Sequence, residues 1–271
     1  MFFKSIRRHL IFSGGLGNQM FQYALLIALQ TRGFKTIVDL SFYNYTEMHN
    51  GYELEKLFGI DENTISKQGL HLLWLRFLDR FHPNFLCSTD NLHFDSELLI
   101  HPKQYIRGNW QCEEYFKDVS NKIRGLFVFR NIDSFNKEVA ESMHQSSSVS
   151  LHIRRGDYTS FGMPLVNEDF YRRAVEIISE KVTSARYYVF SDDMDEAQRI
   201  ANLLNIDYQL MNHNTGVDSY KDMFLMSQCK HNIIANSSFS WWGAWLNCNP
   251  NKIVIAPKWL NDFNCKSWIE I

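Results

Sequence analysis

The chain has 271 residues, of which 45% are hydrophobic and 15% aromatic, with 28 lysines and arginines set against 30 aspartates and glutamates. This is a globular composition, and a net charge of −2 provides no whole-protein field for nucleic acid, so any anion site has to be local. Five cysteines without a C-x-x-C pair read as reduced thiols, and no apolar run approaches the ~18 residues of a membrane span.

The N-terminal stretch is interrupted by Lys4, Arg7 and Arg8, too early for the apolar core of an export signal, which predicts a cytoplasmic protein. His9 to Ser13 reads as a short strand, Gly14-Gly15-Leu16-Gly17-Asn18-Gln19 as a glycine turn, and Met20 to Arg32 as a helix. Strand, glycine turn and helix start form a phosphate-site layout, because glycine lets backbone approach a ligand and the first helical turn offers free N–H groups. Asp39 ends the next strand, Lys35 to Leu40, about where a dinucleotide fold places its ribose-binding acid. An NAD-type oxidoreductase is therefore one reading. Met20 opposes it, since the third fingerprint position should be Gly or Ala. A plain tight turn is the other reading of these glycines.

Leu70 to Phe81 carries leucines, Trp74, Phe77 and Phe81 beside His71, Arg76 and Arg80, an amphipathic helix that ends at Pro83. Its apolar side is expected to pack on the protein's own core, with membrane contact at most peripheral, at the inner face. Gln104 to Gln111 reads as a strand running into a loop, and Glu113–Phe127 and Ile132–Met143 as helices. His144-Gln145-Ser146-Ser147-Ser148 has the most linker-like composition, which places a domain boundary there and predicts domains 1–145 and 146–271.

Beyond it the alternation is regular. Strands Val149–Ile153, Tyr187–Ser191, Tyr208–Met211, Asn232–Ala235 and Ile253–Ala256 are separated by helices Glu168–Val182, Met194–Leu204, Ser219–Cys229 and Phe239–Leu246. That pattern predicts a parallel, doubly wound α/β sheet whose strand ends face one crevice.

Polar residues collect at those predicted strand ends. Val149, Leu151 and Ile153 alternate with Ser150 and His152, and Arg154-Arg155-Gly156-Asp157-Tyr158 follows where the strand stops. Two rigid guanidinium forks suit a diphosphate, and His152 could add a donor; a salt-bridged turn of Arg154 or Arg155 with Asp157 is the plainer reading. The second strand ends in Ser191-Asp192-Asp193, and the fourth in Asn236-Ser237-Ser238 before the helix carrying Trp241 and Trp242. Asp193-Met194-Asp195 has the D-x-D spacing of a metal-held diphosphate, but acids at a helix start are ordinary caps, and capping or a base or ribose contact is favoured over metal binding. Asp222 falls outside the inward stripe of Tyr220, Met223, Phe224 and Ser227, so the sequence alone favours a solvated residue over a guanine-binding carboxylate.

Gly14-Gly15-Leu16-Gly17-Asn18-Gln19-Met20-Phe21-Gln22, His152-Ile153-Arg154-Arg155-Gly156-Asp157-Tyr158, Phe190-Ser191-Asp192-Asp193 and Asn236-Ser237-Ser238-Phe239-Ser240-Trp241-Trp242-Gly243-Ala244-Trp245-Leu246 resemble, in this order, the signature blocks of the bacterial α-1,2-fucosyltransferases, glycosyltransferase family 11. The resemblance implies a GT-B-like α/β fold of two Rossmann-type domains facing a cleft. It implies an N-terminal acceptor-side domain with the glycine loop and a C-terminal domain that binds the donor. The implied reaction moves L-fucose from GDP-β-L-fucose to the 2-hydroxyl of a galactose-terminated glycan, with inversion, without a cofactor and without a metal. Arg154 would act on the diphosphate, Asn18 near the leaving group, and His152 and Asp222 on the GDP moiety. Ser237, Ser238 and Phe239 would form the β-phosphate loop, with Asn236, Asp192 and Gly17 also on the donor. Asp157 is the carboxylate closest in sequence to Arg154, either a base for the acceptor hydroxyl or an orienter of the arginine, and Gly162 stands where a related branch carries a glutamate. A non-catalytic nucleotide-sugar or glycan-binding protein is the remaining alternative.

Overall fold

The computed structural model describes residues 7–44, 50–60, 65–66, 87–90, 92–156, 162, 164–258 and 262–271. The chain forms two compact units, one of residues 1–130 with 261–263 and one of residues 131–260 with 264–271.

In the N-terminal unit the elements are β1 (Arg8–Ile11), α1 (Leu16–Thr31), β2 (Thr36–Asp39), α2 (Leu54–Phe58), β3 (Ile65–Ser66), β4 (Cys87–Thr89), α3 (Glu97–Ile100), β5 (Tyr105–Arg107) and α4 (Ser120–Leu126). The strands lie in the order β3-β2-β1-β5-β4, and every pairing among the described residues is parallel. Both neighbours of β1 are strands and all four of its residues are buried, the expected state of a central parallel strand. Helix α1 is apolar on nearly every face because nearly every face is covered, from Leu16 through Leu29. It begins at Leu16 rather than Met20, so Gly17, Asn18 and Gln19 form its first turn and are not loop. The helix predicted over Glu113–Phe127 is broken into two 3-10 turns and α4, because Phe116 leaves helical space (φ −133°) and packs edge-on against Phe21, ring centroids 6.2 Å apart. The amphipathic stretch Leu70–Phe81 lies outside the described residues.

The C-terminal unit contains α5 (Ser134–Gln145), β6 (Ser147–Ile153), α6 (Glu168–Lys181), β7 (Ala185–Ser191), α7 (Met194–Leu204), β8 (Tyr208–Leu210), α8 (Tyr220–Gln228), β9 (His231–Ile233), α9 (Ser238–Leu246), β10 (Val254–Ala256) and β11 (Ile269–Glu270). Its parallel sheet runs β8-β7-β6-β9-β10-β11. The chain starts at β6, winds outward to β8 on one side, then returns to β9 and winds outward to β11 on the other. This is the doubly wound order of dinucleotide-binding sheets, and its direction reverses between β6 and β9.

Alternation along the strands builds two cores. Val149, Leu151 and Ile153 of β6 join Tyr187 and Val189 of β7 against Tyr171, Ala174, Ala197 and Ile200 of α6 and α7. Tyr188 and Phe190 point to the opposite face, against Ala140 and Met143 of α5 and Leu225 and Met226 of α8. The second face of β6 is polar and buried: Ser148 donates to the Met143 carbonyl at 2.7 Å, and Ser150 accepts from the Asn232 amide at 2.7 Å. These contacts correct the boundary expected at residue 145. The serine-rich stretch is no linker but the start of β6, and α5 before it belongs to the C-terminal core, so the chain divides after Arg130. No helix among the described residues is long and apolar enough to cross a membrane.

Candidate active site

The reversal between β6 and β9 is where an open parallel sheet leaves a crevice, and β6 delivers His152, Arg154 and Arg155 to it. The His152 ring is buried, 6.3 Å from the Phe239 ring between centroids, and its Nδ1 has no hydrogen-bond partner among the described residues. Burial, and then the charge of Arg154, hold its pKa well below the ordinary histidine value, so the imidazole is neutral. A buried polar atom without a partner is costly unless a ligand supplies one.

Arg154 and Arg155 divide their work. The Arg154 guanidinium stays partly exposed, with Nη1 3.1 Å from Asp192 Oδ2. Arg155 turns inward: it is 7% exposed, its Nε lies 3.5 Å from Glu196 Oε1, and its guanidinium stands 6.0 Å from the centre of the Tyr171 ring. Its backbone N–H donates to Asp192 Oδ1 at 2.9 Å. Asp192 thus orients one arginine by its side chain and the next by its backbone, where the sequence suggested a base or ribose contact. A Cβ on Gly156 would lie 2.5 Å from Asp192 Oδ2, which is why the third residue of the exit has no side chain. Asp193, its neighbour, caps α7 by accepting from Glu196 N at 3.0 Å, as the capping reading expected.

From β9 the chain runs through Asn236 and Ser237 into α9. Ser237 is the N-cap and accepts from the Phe239 N–H at 3.3 Å, so a helix N-terminus, which favours anions, begins just beyond the end of β9. Asn236 donates to the Pro164 carbonyl at 2.6 Å. The helix is fixed from behind: Trp241, Trp242 and Trp245 are buried, and a Cβ on Gly243 would lie 2.7 Å from that of Met226, so α8 and α9 meet at that glycine.

Asp222 overturns the solvated reading. It is 8% exposed and accepts from the Asn214 amide at 2.8 Å, and Asn214 in turn exchanges hydrogen bonds with Asn136 at 2.9 and 3.1 Å. His213 also reaches Asn136, at 3.1 Å. Burial raises the Asp222 pKa to about 7, opposed by the Asn214 bond. The inward stripe underestimated α8 because that helix is covered on more than one side, Leu225 and Met226 being buried as well as Tyr220 and Met223. Asn214 and Asn136 escaped sequence reasoning; the polar run Asn212-His213-Asn214 immediately after a strand was the available signal.

At the corresponding edge of the N-terminal sheet, the glycine turn is tied down by its own helix. Gln19, fully buried, donates to the Gly14 and Gly51 carbonyls at 3.1 and 2.8 Å, and the Tyr43 hydroxyl donates to Gly14 at 2.7 Å. Gln22 accepts from Ser13 N at 3.1 Å and donates to the Gly108 carbonyl at 2.9 Å. Asp39 is 1% exposed and its carboxylate accepts from Ser41 N at 2.9 Å, so it starts the following turn and is closed to a ribose. Met20 is wholly buried where a dinucleotide loop needs a small residue. Of the predicted site residues, the C-terminal sheet gathers His152, Arg154, Asp192, Asn236, Ser237, Ser238 and Phe239 at one edge, with Asp222 on α8. Gly17 and Asn18 lie in the N-terminal unit, and Asp157 falls outside the described residues.

Fold and site together define a glycosyltransferase of GT-B-like architecture. The chain belongs to glycosyl transferase family 11, whose family model matches residues 9–269. It is similar to an alpha-1,2-colitosyltransferase of Escherichia coli, 34% identical over 96% of this chain and 97% of that one. It also resembles the O-antigen biosynthesis glycosyltransferase WbnK of Escherichia coli, 32% identical over 96% of this chain and 98% of that one. The fold is that of the fucosyltransferase NodZ from Bradyrhizobium: its crystal structure superposes with a TM-score of 0.51 at 15% identity, covering 89% of this chain and 92% of that one. The NAD-type reading of the glycine turn is removed by the family match, by Met20 and by the burial of Asp39.

Proposed function

We propose that this enzyme transfers L-fucose from GDP-β-L-fucose to the 2-hydroxyl of a galactose residue in a surface polysaccharide repeat or oligosaccharide, with inversion and without a metal. The observation that carries the reading is the Arg154 guanidinium at the sheet's reversal point, with the start of α9 and the His152 Nδ1, unpartnered among the described residues, delivered to the same edge. Cleaving a sugar–phosphate bond puts negative charge on the departing diphosphate, and fixed donors aimed at it lower the barrier. Arg154, His152 and the Ser237–Phe239 turn supply such donors. A fixed guanidinium in this place, together with the local capping of Asp193, supports a metal-free reaction.

Asp222 is the group best suited to the guanine edge, because an ionised carboxylate accepts two N–H bonds side by side. A donor held on one face leaves the other to the acceptor, which supports a single inverting displacement. The similarity to a colitosyltransferase favours a second reading of the donor, since colitose is fucose without one hydroxyl. Either sugar would use the same diphosphate site. The work is expected on the cytoplasmic side, with membrane contact no more than peripheral.

Parallel incubations with GDP-fucose and GDP-colitose, with lactose as acceptor, separate these readings. A mass gain of one deoxyhexose and an α-anomeric proton on the 2-position of galactose is the expected result. A β-linked product would end the inverting reading, linkage to another hydroxyl would end the acceptor reading, and transfer from GDP-colitose alone would move the donor to the dideoxy sugar.

A further inference from the structure

Within the C-terminal unit, a chain of amides runs from the start of α5 to the first turn of α8. Asp133, the N-cap of α5, accepts the Asn136 backbone N–H at 2.9 Å and the Asn136 amide at 2.9 and 3.2 Å, and lies 3.0 Å from Lys221 Nζ. These bonds hold the Asp133 carboxyl well below the usual carboxylate range, so it is ionised and can only accept. Asn136 must therefore turn Nδ2 toward Asp133 and Oδ1 away from it. Oδ1 meets Asn214 Nδ2 at 2.9 Å and His213 Nε2 at 3.1 Å, and Asn136 Nδ2 returns a bond to Asn214 Oδ1 at 3.1 Å. The paired amides fix Asn214 in turn, and its Nδ2 is the end that reaches Asp222 Oδ1, at 2.8 Å. Asn136 is 2% exposed, and Asn214 and Asp222 are 8% exposed, so water competes little for these bonds. Asp222 Oδ2 takes no hydrogen bond from any described residue.

An amide that could turn over would offer Asp222 either a donor or an acceptor, and only the donor favours the ionised carboxylate. We propose that Asn214, oriented by Asn136, is a positioning residue for Asp222: it engages Oδ1, favours the charged form, and leaves Oδ2 as the acceptor for a ligand N–H. The ligand part rests on the proposed contact of Asp222 with the donor's base, whereas the amide chain stands on the geometry alone. Burial pushes the Asp222 pKa up to about 7, and the Asn214 bond opposes the rise. Other charges nearby are accounted for. Lys221 is shared between Asp133 and Asp218, 3.0 and 2.9 Å away, and α9, which packs on α8, carries no ionisable side chain. Burial lowers the His213 pKa, so the contribution of His213 to stability grows with pH, in the opposite sense to that of Asp222.

The test follows urea unfolding and GDP binding of the same preparations from about pH 5 to pH 9. In wild type the stability contributed by Asp222 declines up to about pH 7. Asn214→Ala should carry that decline about one pH unit higher, the worth of one hydrogen bond to a charged group. Asn214→Asp, nearly isosteric, should carry it higher still, because two adjacent carboxylates hold a proton between them. Asn136→Ala should move it less than Asn214→Ala, since Asn214 remains and is only freed to turn over. In an Asp222→Asn background, Asn214→Ala should leave the profile where it is. Coincident profiles for wild type, Asn214→Ala and Asn214→Asp would overturn the inference, as would an Asn214→Ala shift that persists without Asp222. The pH at which GDP affinity rises should move with the stability profile. Wild-type GDP affinity that is flat across the range, beside a stability profile that moves as expected, would instead overturn the base contact in the proposed function and keep the Asn214 assignment.

Discussion

Asp192 Oδ2 stands 3.1 Å from Arg154 Nη1, and both side chains are only a quarter exposed, 24% each, so the arginine is aimed before any ligand arrives. Preorganised charge of this kind costs no rearrangement at the moment of reaction. Arg154→Ala is expected to lose about two to three decades in kcat, the equivalent of ~3–4 kcal/mol, with an unchanged unfolding midpoint. Arg154→Lys should recover little, because an ammonium is a point charge and not a planar fork. An alanine variant within about tenfold of wild type would take the diphosphate away from Arg154.

Gly156→Ala tests the same arrangement from the backbone. The new Cβ would lie 2.5 Å from Asp192 Oδ2 and 2.8 Å from its Cγ, so the carboxylate must move off both arginines. The expected cost is about 1–3 kcal/mol of stability by chemical denaturation, with a loss of transfer rate. Asp192→Ala in the same chain removes the clash. The double variant should therefore be no less stable than Asp192→Ala alone.

Chelation is expected to leave the transfer rate within about twofold of the untreated enzyme, since a guanidinium carries its charge at any working pH. Some acceleration by magnesium fits the proposal. Complete loss in EDTA, restored by a divalent ion, would return the diphosphate to Asp193 and Asp195.

Asp222 is expected to make stability and GDP affinity depend on pH in opposite senses. Its folded pKa is raised from 3.8 to about 7, so between these values the folded protein holds a proton that the unfolded chain has released. Stability from this group is therefore greatest at low pH and declines as pH rises toward about 7. The proposed guanine contact requires the ionised form, so on that proposal GDP affinity should rise over the same interval. Asp222→Asn should flatten both trends and weaken GDP binding. Calorimetry at about pH 5.5 and pH 8 reads the difference, and equal wild-type affinities would detach Asp222 from the base.

Much of the C-terminal unit was legible because its strands are short, β-branched and aromatic, and its helices carry their own caps. Tyr187 to Ser191 and Met194 to Leu204 stand in the structure where the alternation predicted them. The edge strand β11 was not legible: Ile269–Glu270 is too short for any period, and pairing with β10 creates it. Serine-rich composition misled at Ser146 to Ser148, since small hydroxyls bonding back to the Met143 carbonyl, that of Ser148 buried, look, in sequence, like a linker. Gly17 and Asn18 read as loop for a related reason. A helix buried on all sides needs no polar face or side-chain cap to mark its start. The cradle of His152, Arg154 and Asn236–Phe239 could be read from strand ends alone. The Asn136–Asn214–Asp222 cluster could not, because Asn136 is far in the chain from the other two and only burial unites it with them.

The tryptophans that anchor α9 give the C-terminal unit an optical identity. Trp241 and Trp245 lie nearly parallel, 10° between planes with centroids 6.2 Å apart, and Trp242 stands edge-on to both. Indoles this close share their excited states, so the near-ultraviolet circular dichroism of the native protein should carry a paired band that no isolated tryptophan produces. The band originates on the helix whose opening turn is proposed to hold the donor's phosphates. Its amplitude is an intrinsic, label-free meter of whether that helix is seated, readable during titration with GDP.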